Sequence, residues 1–435
     1  MPKVAFDLLG KPLIRWVVDA AHEAGCDDVI TVLGHRRDIL VHDTSVVYQL
    51  EQLGTGHAVK MAADELSKRD GYVVVLSGDS PLIAASTIER LATSAQESGC
   101  SAIVLTHIAV DPYGYGRVIR DMVGNVTRIV EQKDCTEAEA AVDECNSGVY
   151  AFKISSLLSH LDELSTDNSQ GEYYLTDVIA KMVSAKEKVG AIIVDDPIEA
   201  SGINTRVQLA QASKFLQRRI NREFMLAGVS MLDPDLVWIG PDVKIAADVD
   251  ILPMTMLMGD TTIESGCIIG PNTRITDSYI GHDSTIDECV VIESTIDDNV
   301  TCGPRAYLRP GTHMCSGSKA GTHVEIKKST IGDGSKVPHL SYIGDAVIGS
   351  SVNIGAGSIT CNYDGVNKHA TTIGDRSFVG SNTMMVAPVN IGNDCTIGAG
   401  SVITDDVPDG SLGIGRSRQT NIDGYTEKKN GKNSE

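Results

Sequence analysis

Aliphatic residues recur at every sixth position through the second half of the chain, and few folds tolerate that spacing. Ile239, Ile245, Ile251, Leu257, Ile263, Ile269 and Ile275 run without a break; Ile280, Ile286 and Ile292 keep the interval after a one-residue slip; Ile373, Val379, Met385, Ile391, Ile397 and Ile403 resume it. An α-helix buries positions three or four apart and a half-buried strand buries alternate ones, so neither gives a pure period of six. A β-solenoid does, because short strands joined by tight turns return one aliphatic side chain per face to the same inner column. Many of these residues precede glycine, as in Ile269-Gly270, Ile354-Gly355, Ile391-Gly392 and Ile397-Gly398. There the missing Cβ is expected to open turn conformations closed to other residues. The rhythm breaks at 305–318 and at 361–370, and insertions in a solenoid map to loops that often carry the site.

Residues 1–204 read differently. Apolar runs at 29–33, 72–76, 101–106 and 148–152 alternate with helical patterns at 13–24, 58–66 and 87–98. That alternation predicts an α/β domain with a Rossmann-like, mostly parallel, doubly wound sheet. Ligands in such sheets sit at the carboxyl ends of strands, which is where Asp79 falls, after the run 72–76. A helix over 205–228 links this domain to a solenoid over 229–415; 416–435 forms the C-terminal tail, whose last residues, 427–435, are polar and expected to fray. With 435 residues and 42% hydrophobic content, each domain can bury a core. The 4% aromatic content and 42 glycines suit a narrow solenoid interior. A net charge of −21 argues against a nucleic-acid partner, which would demand a basic face. No apolar run reaches membrane length, so membrane insertion is not expected. Ten cysteines without a Cys-x-x-Cys pair suggest a reducing compartment, and a cytoplasmic location is expected.

Three segments carry chemistry. The loop Thr360-Cys361-Asn362-Tyr363-Asp364-Gly365-Val366-Asn367-Lys368 is polar and turn-rich. It is either a ligand-binding loop or a solvated insertion. His339, in Val337-Pro338-His339-Leu340-Ser341-Tyr342, is either structural or a general base, the role imidazole most often takes. Lys327 and Lys328 form either a phosphate-binding pair or a solvated edge. His313, His323 and His339 together also allow a solenoid zinc enzyme of the carbonic anhydrase kind, which needs three histidines on one Zn²⁺ between subunits.

Taken in order with Leu308-Arg309-Pro310-Gly311 and Val324-Glu325-Ile326-Lys327-Lys328, these motifs resemble those of the bifunctional N-acetylglucosamine-1-phosphate uridylyltransferase and glucosamine-1-phosphate acetyltransferase family. The resemblance covers nearly the whole chain. It implies that the solenoid is a left-handed parallel β-helix of hexapeptide repeats, assembled as a homotrimer, with acetyl-CoA bound between neighbouring helices. His339 would be the base that deprotonates the attacking amine. Arg309 and Lys327 would hold the sugar phosphate, and Tyr342, Asn353 and Asn362 the sugar. Tyr363 and Lys368 would complete the site. Ser381, Ala399 and Arg416 match positions that meet coenzyme A.

The first domain also resembles the family. Lys3 matches a lysine on the nucleotide phosphates. Gln49, Gly54 and Thr55, in the stretch Gln52-Leu53-Gly54-Thr55-Gly56-His57 and just before it, match the uracil-reading segment. Gly116, Glu131 and Asn146, with Tyr174-Leu175-Thr176-Asp177, match the N-acetylglucosamine pocket. Asp79 and Asn204 match the Mg²⁺ ligands, and two hard oxygens suit that ion. The implied reaction is attack of the sugar phosphate on the α-phosphorus of UTP. One departure stands out. The family opens with a strand and a loop of the form Leu-x-x-Gly-x-Gly-Thr-Arg-Met before its Pro-Lys, whereas this sequence opens at Met1-Pro2-Lys3. Two expectations follow: a start further upstream with both activities present, or an acetyltransferase whose first domain is silent.

Overall fold

The computed structural model describes residues 3–26, 28–34 and 44–431; Met1 and Pro2 of the opening motif and the last four tail residues lie outside them. The chain divides into two compact units, Met1–Leu216 and Gln217–Glu435.

In the first unit a mixed sheet runs in the order Val189–Ile193, Ala102–Ile108, Glu144–Lys153, Arg117–Arg120, Val126–Val130, with Tyr72–Val75 also paired to Glu144–Lys153. The strand Ala102–Ile108 is buried on both faces, which is why it reads as a continuous apolar run. Ile103 and Leu105 pack with Ile88, Leu91 and Val149 on one side. Ala102 and Val104 pack with Phe152, Leu157 and Ile179 on the other. The expected mostly parallel order is corrected. Glu144–Lys153 is antiparallel to Ala102–Ile108, Tyr72–Val75 and Arg117–Arg120. Periodicity reports which faces are buried and is silent on strand direction. The parallel pair Ile30–Leu33 and Ser45–Tyr48 forms a separate sheet. The helical pattern at 58–66 breaks into Thr55–Met61 and Ala63–Leu66.

The helix Arg206–Leu226 starts where a Thr-x-x-Gln box predicts. The Thr205 hydroxyl accepts from the Gln208 amide at 3.1 Å, and the Gln208 side chain accepts from the Thr205 and Asn204 amides at 2.9 and 2.8 Å. Further along, Gln217 and Asn221 are fully buried. Both donate to the carbonyl of Val237, in the first coil of the second unit. An end coil has no neighbour on one side, and these amides satisfy a carbonyl that another coil would otherwise take.

The second unit is a three-sided left-handed parallel β-helix. Its faces are sheets of 11, 10 and 9 parallel strands, called the first, second and third faces below. The inward column of the second face includes Leu257, Ile275, Leu308, Ile326 and Ile343, each fully buried. Each such side chain contributes about 1.5–3 kcal/mol by leaving water. Three expectations change. The break at 305–318 is no break: Leu308 and Met314 are buried and in register with Val291 and Ile296. The column continues there with residues other than isoleucine. In the strand Val290–Ile292 the inward residue is Val291, not Ile292. The glycines after the column residues mostly serve a different purpose from the one expected. Gly270 has φ +104°, but Gly355, Gly392 and Gly398 keep ordinary φ. A Cβ on Gly355 would strike the Ser381 amide of the next coil, so close approach requires the glycine. Left-handed turn positions fall instead to residues such as Asp248, Asn272, Asn299 and Asn382. The break at 361–370 is real and forms a loop between Ile359–Cys361 and Thr371–Ile373. The tail carries a short helix, Tyr425–Gly431, rather than fraying throughout.

Two substitutions test this packing by calorimetry. Ile343→Ala should cost about 2–5 kcal/mol, as core truncations do. Gly374→Ala should also lower the midpoint, although it adds a methyl, because its Cβ would lie 2.6 Å from the Asn393 amide nitrogen. An unchanged midpoint for Gly374→Ala would mean that the coils have slack.

Candidate functional site

Two groupings of polar side chains stand out, one in each unit. In the first unit, the Lys3 ammonium donates to Asp79 Oδ2 and, at 2.7 Å, to Asn204 Oδ1. Ser77 Oγ donates to Asp79 Oδ1 at 2.9 Å, and the Ile203 amide donates to the Asp79 carbonyl at 2.9 Å. The Arg206 guanidinium stacks 3.9 Å from the Phe6 ring centre, which helps to hold the first residues against this corner. Two hard oxygens therefore already converge on one cation. That donor set fits Mg²⁺, which takes one or two side-chain oxygens and completes its shell with water and substrate phosphate.

The segment 173–176 joins the other predicted residues. The Tyr173 amide donates to the Leu53 carbonyl at 2.8 Å, and the Leu175 amide to Thr55 Oγ1 at 3.1 Å. Gly54 has φ +105°, and a Cβ there would lie 2.6 Å from the Tyr173 carbonyl. Only glycine suits both conditions. Gln49 Nε2 donates to the Gly54 carbonyl at 3.1 Å. On the other side, Thr176 Oγ1 donates to Glu131 Oε1 at 3.2 Å. Gly116 packs beside Glu131 and Asn146, and its carbonyl accepts from the Asn146 amide at 2.8 Å. The Asn146 side chain donates to the Tyr150 hydroxyl at 2.6 Å. Tyr150 was not singled out in the sequence; it sits in an apolar strand run, and its hydroxyl matters only once that strand is placed. Burial pushes the Glu131 carboxyl above its ordinary range, with Asp177 and Asp134 adding to the rise.

In the β-helix, Arg309, Lys327 and Tyr342 lie on the outer side of the second face. Arg309 Nη1 donates to Glu325 at 2.8 Å. Lys327 Nζ lies 3.8 Å from Asp345, whose carboxylate also accepts from Asn362 Nδ2 at 2.5 Å. Asn362 reaches the Tyr342 hydroxyl at 3.5 Å. Lys368 comes close enough to Lys327 that the second ammonium pushes its pKa below the ordinary lysine value. The inserted loop thus folds back on the face it leaves. Asp345 and Glu325 organise this cluster, and nothing in their sequence positions signalled it. Asn353 is not in the cluster; it faces outward on the first face, paired with Lys336 and Phe378. Tyr363 is exposed and donates its hydroxyl to Gly365 within its own loop at 2.6 Å.

His339 ends a strand of the first face, one turn before Tyr342, and its ring makes no hydrogen bond among the described residues. The registers Ile354↔Val379 and Val379↔Ile397 place Ser381 and Ala399 at the equivalent corner of later coils. His339 occupies that corner two residues after Val337 in its own coil. All three are exposed, and Arg416 follows the last coil, next to Gly400. His313 does not join His323 and His339. It points outward from the third face and is held by Asp297.

An α/β nucleotidyltransferase domain followed by a hexapeptide β-helix is the class that this fold defines. Residues 1–171 match the MobA-like NTP transferase domain, and residues 370–405 match the hexapeptide repeat of succinyl-transferase. The chain is 49% identical to the bifunctional protein GlmU of Caldanaerobacter subterraneus subsp. tengcongensis over 98% of its own length and 94% of the relative's. It is 47% identical to that of Carboxydothermus hydrogenoformans, with 98% and 96% covered, and 48% identical to that of Thermoanaerobacter pseudethanolicus, with 98% and 94% covered. The chain belongs to the GlmU family of bifunctional proteins.

Glu131 gives a stability test. Its raised folded pKa means that the folded state holds a proton the unfolded state has released. Stability from this site is therefore greatest below the ordinary glutamate pKa of 4.5 and falls as pH rises toward the raised value. Glu131→Gln should remove that penalty and raise the thermal midpoint of the first unit at pH 7, with little change at pH 4. A lowered midpoint at pH 7 would show that the ionised carboxylate is needed for folding.

Proposed function

We infer that the chain makes UDP-N-acetylglucosamine by two reactions: acetyl transfer from acetyl-CoA to glucosamine 1-phosphate, then uridylyl transfer from UTP to the acetylated sugar phosphate. The observation that carries the reading is membership of the family across the whole chain, together with the cluster of Lys327, Lys368, Tyr342 and Asn362 on the second face. Two lysines share the one carboxylate of Asp345, which leaves positive charge for an anion such as a sugar phosphate to balance.

In the β-helix reaction His339 takes the proton from the sugar amine as its nitrogen bonds to the thioester carbon. The carbon–sulfur bond breaks and coenzyme A leaves. Imidazole suits this step because its ordinary titration lies near neutrality. Arg309, Lys327 and Lys368 bind the phosphate; Tyr342, Asn353 and Asn362 orient the sugar; Tyr363 closes over it. The exposed corner bearing Ser381 and Ala399, with Arg416 beyond it, receives the coenzyme. Sites split between two outward faces are completed when copies pack side by side, so a homotrimer is the proposed assembly.

In the first unit a phosphate oxygen of N-acetylglucosamine 1-phosphate attacks the α-phosphorus of UTP, the bond to the β-phosphate breaks, and pyrophosphate leaves. Gln49, Gly54 and Thr55 face the uracil. Gly116, Glu131 and Asn146 hold the acetylated sugar. Asp79 and Asn204 hold Mg²⁺, which when bound supplies positive charge against the phosphates. Lys3 then turns its ammonium from these two oxygens to the nucleotide. Among the described residues no helix is long and apolar enough to cross a membrane. The cytoplasm, where both nucleotide and coenzyme are made, is the proposed location.

The test is release of coenzyme A thiol and of pyrophosphate by one purified chain. His339→Ala should lose about 10²–10⁴-fold in acetyl transfer and keep pyrophosphate release. Asp79→Ala should do the reverse. Unchanged acetyl transfer by His339→Ala would remove it as the base, and acetyl transfer without any pyrophosphate release in the parent chain would overturn the two-step reading. Sedimentation velocity checks the trimer.

A further inference from the structure

A group of metal-ligating side chains lies on the third face of the β-helix, and neither reaction uses it. Asp297, His313 and Cys315 each offer one ligand atom, and those atoms all lie within 4.8 Å of one another. His313 and Cys315 flank the inward Met314 in one coil. Asp297 follows the inward Ile296 of the preceding coil, where Ile296 is in register with Met314. Its amide donates to the Met314 carbonyl at 2.9 Å. All three side chains are half-buried. The His313 Nε2 lies 2.9 Å from Asp297 Oδ2. Cys267, Cys289 and Cys395 spend their thiols on backbone carbonyls. The Cys315 thiol has no hydrogen-bond partner among the described residues.

We propose that Asp297, His313 and Cys315 bind a Zn²⁺-class divalent ion that staples these two coils together. The donor set selects the metal. Thiolate with imidazole suits zinc and its late first-row neighbours, while Mg²⁺ and Ca²⁺ take oxygen shells. Ligand atoms on a tetrahedral zinc sit roughly 3.3–3.6 Å apart, given bonds of about 2.0–2.3 Å, so the side chains need only small rotations to close on an ion. The neutral imidazole of His313 binds through Nε2 with its single proton carried on Nδ1, and the ionised Asp297 carboxylate, now free of its hydrogen bond to that ring, binds beside it. The Cys315 thiol gives its proton to solvent as the sulfur binds, and water fills the fourth position. The backbone is already fixed by hydrogen bonds between coils, so little ordering is needed on binding. The site binds metal to the folded β-helix and not to the unfolded chain, so metal raises the unfolding midpoint.

The experiment titrates Co²⁺ anaerobically into the full, chelator-treated chain and follows absorbance. The expected result is a thiolate-to-Co²⁺ charge-transfer band that saturates at one ion per chain and is erased by Zn²⁺. Cys315→Ser should abolish the band. Asp297→Asn and His313→Gln should weaken binding by about tenfold or more, at least what loss of an outer-shell partner costs. Co²⁺ at Asp79 and Asn204 would give no such band, since no thiolate is present there. Acetyl transfer and pyrophosphate release, unchanged in all three variants, report that the fold is intact. In parallel, Zn²⁺ should raise the unfolding midpoint of the parent chain and leave that of Cys315→Ser unmoved. No band in the parent chain, or the same band in Cys315→Ser, overturns the proposal.

Discussion

Hydrogen bonding between successive coils, sealed by one inward aliphatic side chain per face, is the constraint on which the β-helix depends. Each coil is useful only when stacked on another, since a two- or three-residue strand buries too little alone. Close stacking explains the glycines after Ile354 and Ile373, where a Cβ would enter the backbone of the next coil. It also frees the outward positions. The Glu325–Lys327 strand keeps Ile326 inside and turns both charged residues outward, next to Arg309 and Tyr342 on neighbouring coils. Thr360 shows how strict the interior is. It takes an inward place where the loop departs, and its hydroxyl both donates to the Gly344 carbonyl and accepts from the Gly344 amide.

The first unit solves positioning another way. Its polar residues come from distant segments tied by backbone hydrogen bonds rather than stacked in columns. Residues 173–176 bond to Leu53 and Thr55 on one side and to Glu131 on the other, so one short segment sets the spacing of both groups. A capping box at Thr205 and Gln208 fixes the start of the following helix, and with it Asn204. The carboxylate and amide oxygens of Asp79 and Asn204 meet around the Lys3 ammonium, an arrangement that balances charge.

Much of this was legible in the sequence, and the misses share a cause. The period of six revealed the solenoid because isoleucine dominates the column. Where Leu308, Met314, Ala320 and Cys302 fill it, the pattern faded and a continuous stretch read as an insertion. Alternating strands and helices revealed an α/β unit but not that Glu144–Lys153 runs against its neighbours. Lys3, Asp79 and Asn204 in one unit, and Lys327, Tyr342 and Asn362 in the other, stood out in the sequence and come together in the fold, whereas Asn353 does not. Asp345, Glu325 and Tyr150 did not stand out, since each gains its place only from the residue that folding sets beside it.

By itself the sequence determined the column, the linking helix and the family, because these rest on local spacing and on residue types that carry their own physics. Tertiary structure decided which outward residues share a face. The stacking register set Arg309, Lys327 and Tyr342 on one face, to which the inserted loop returns Lys368; it sent Asn353 to another face and set His313 beside Asp297 instead of near His339. The physical reason is that register depends on the length of every preceding turn. One slip, such as the five-residue step into Val291, shifts which residues of successive coils lie side by side from there onward.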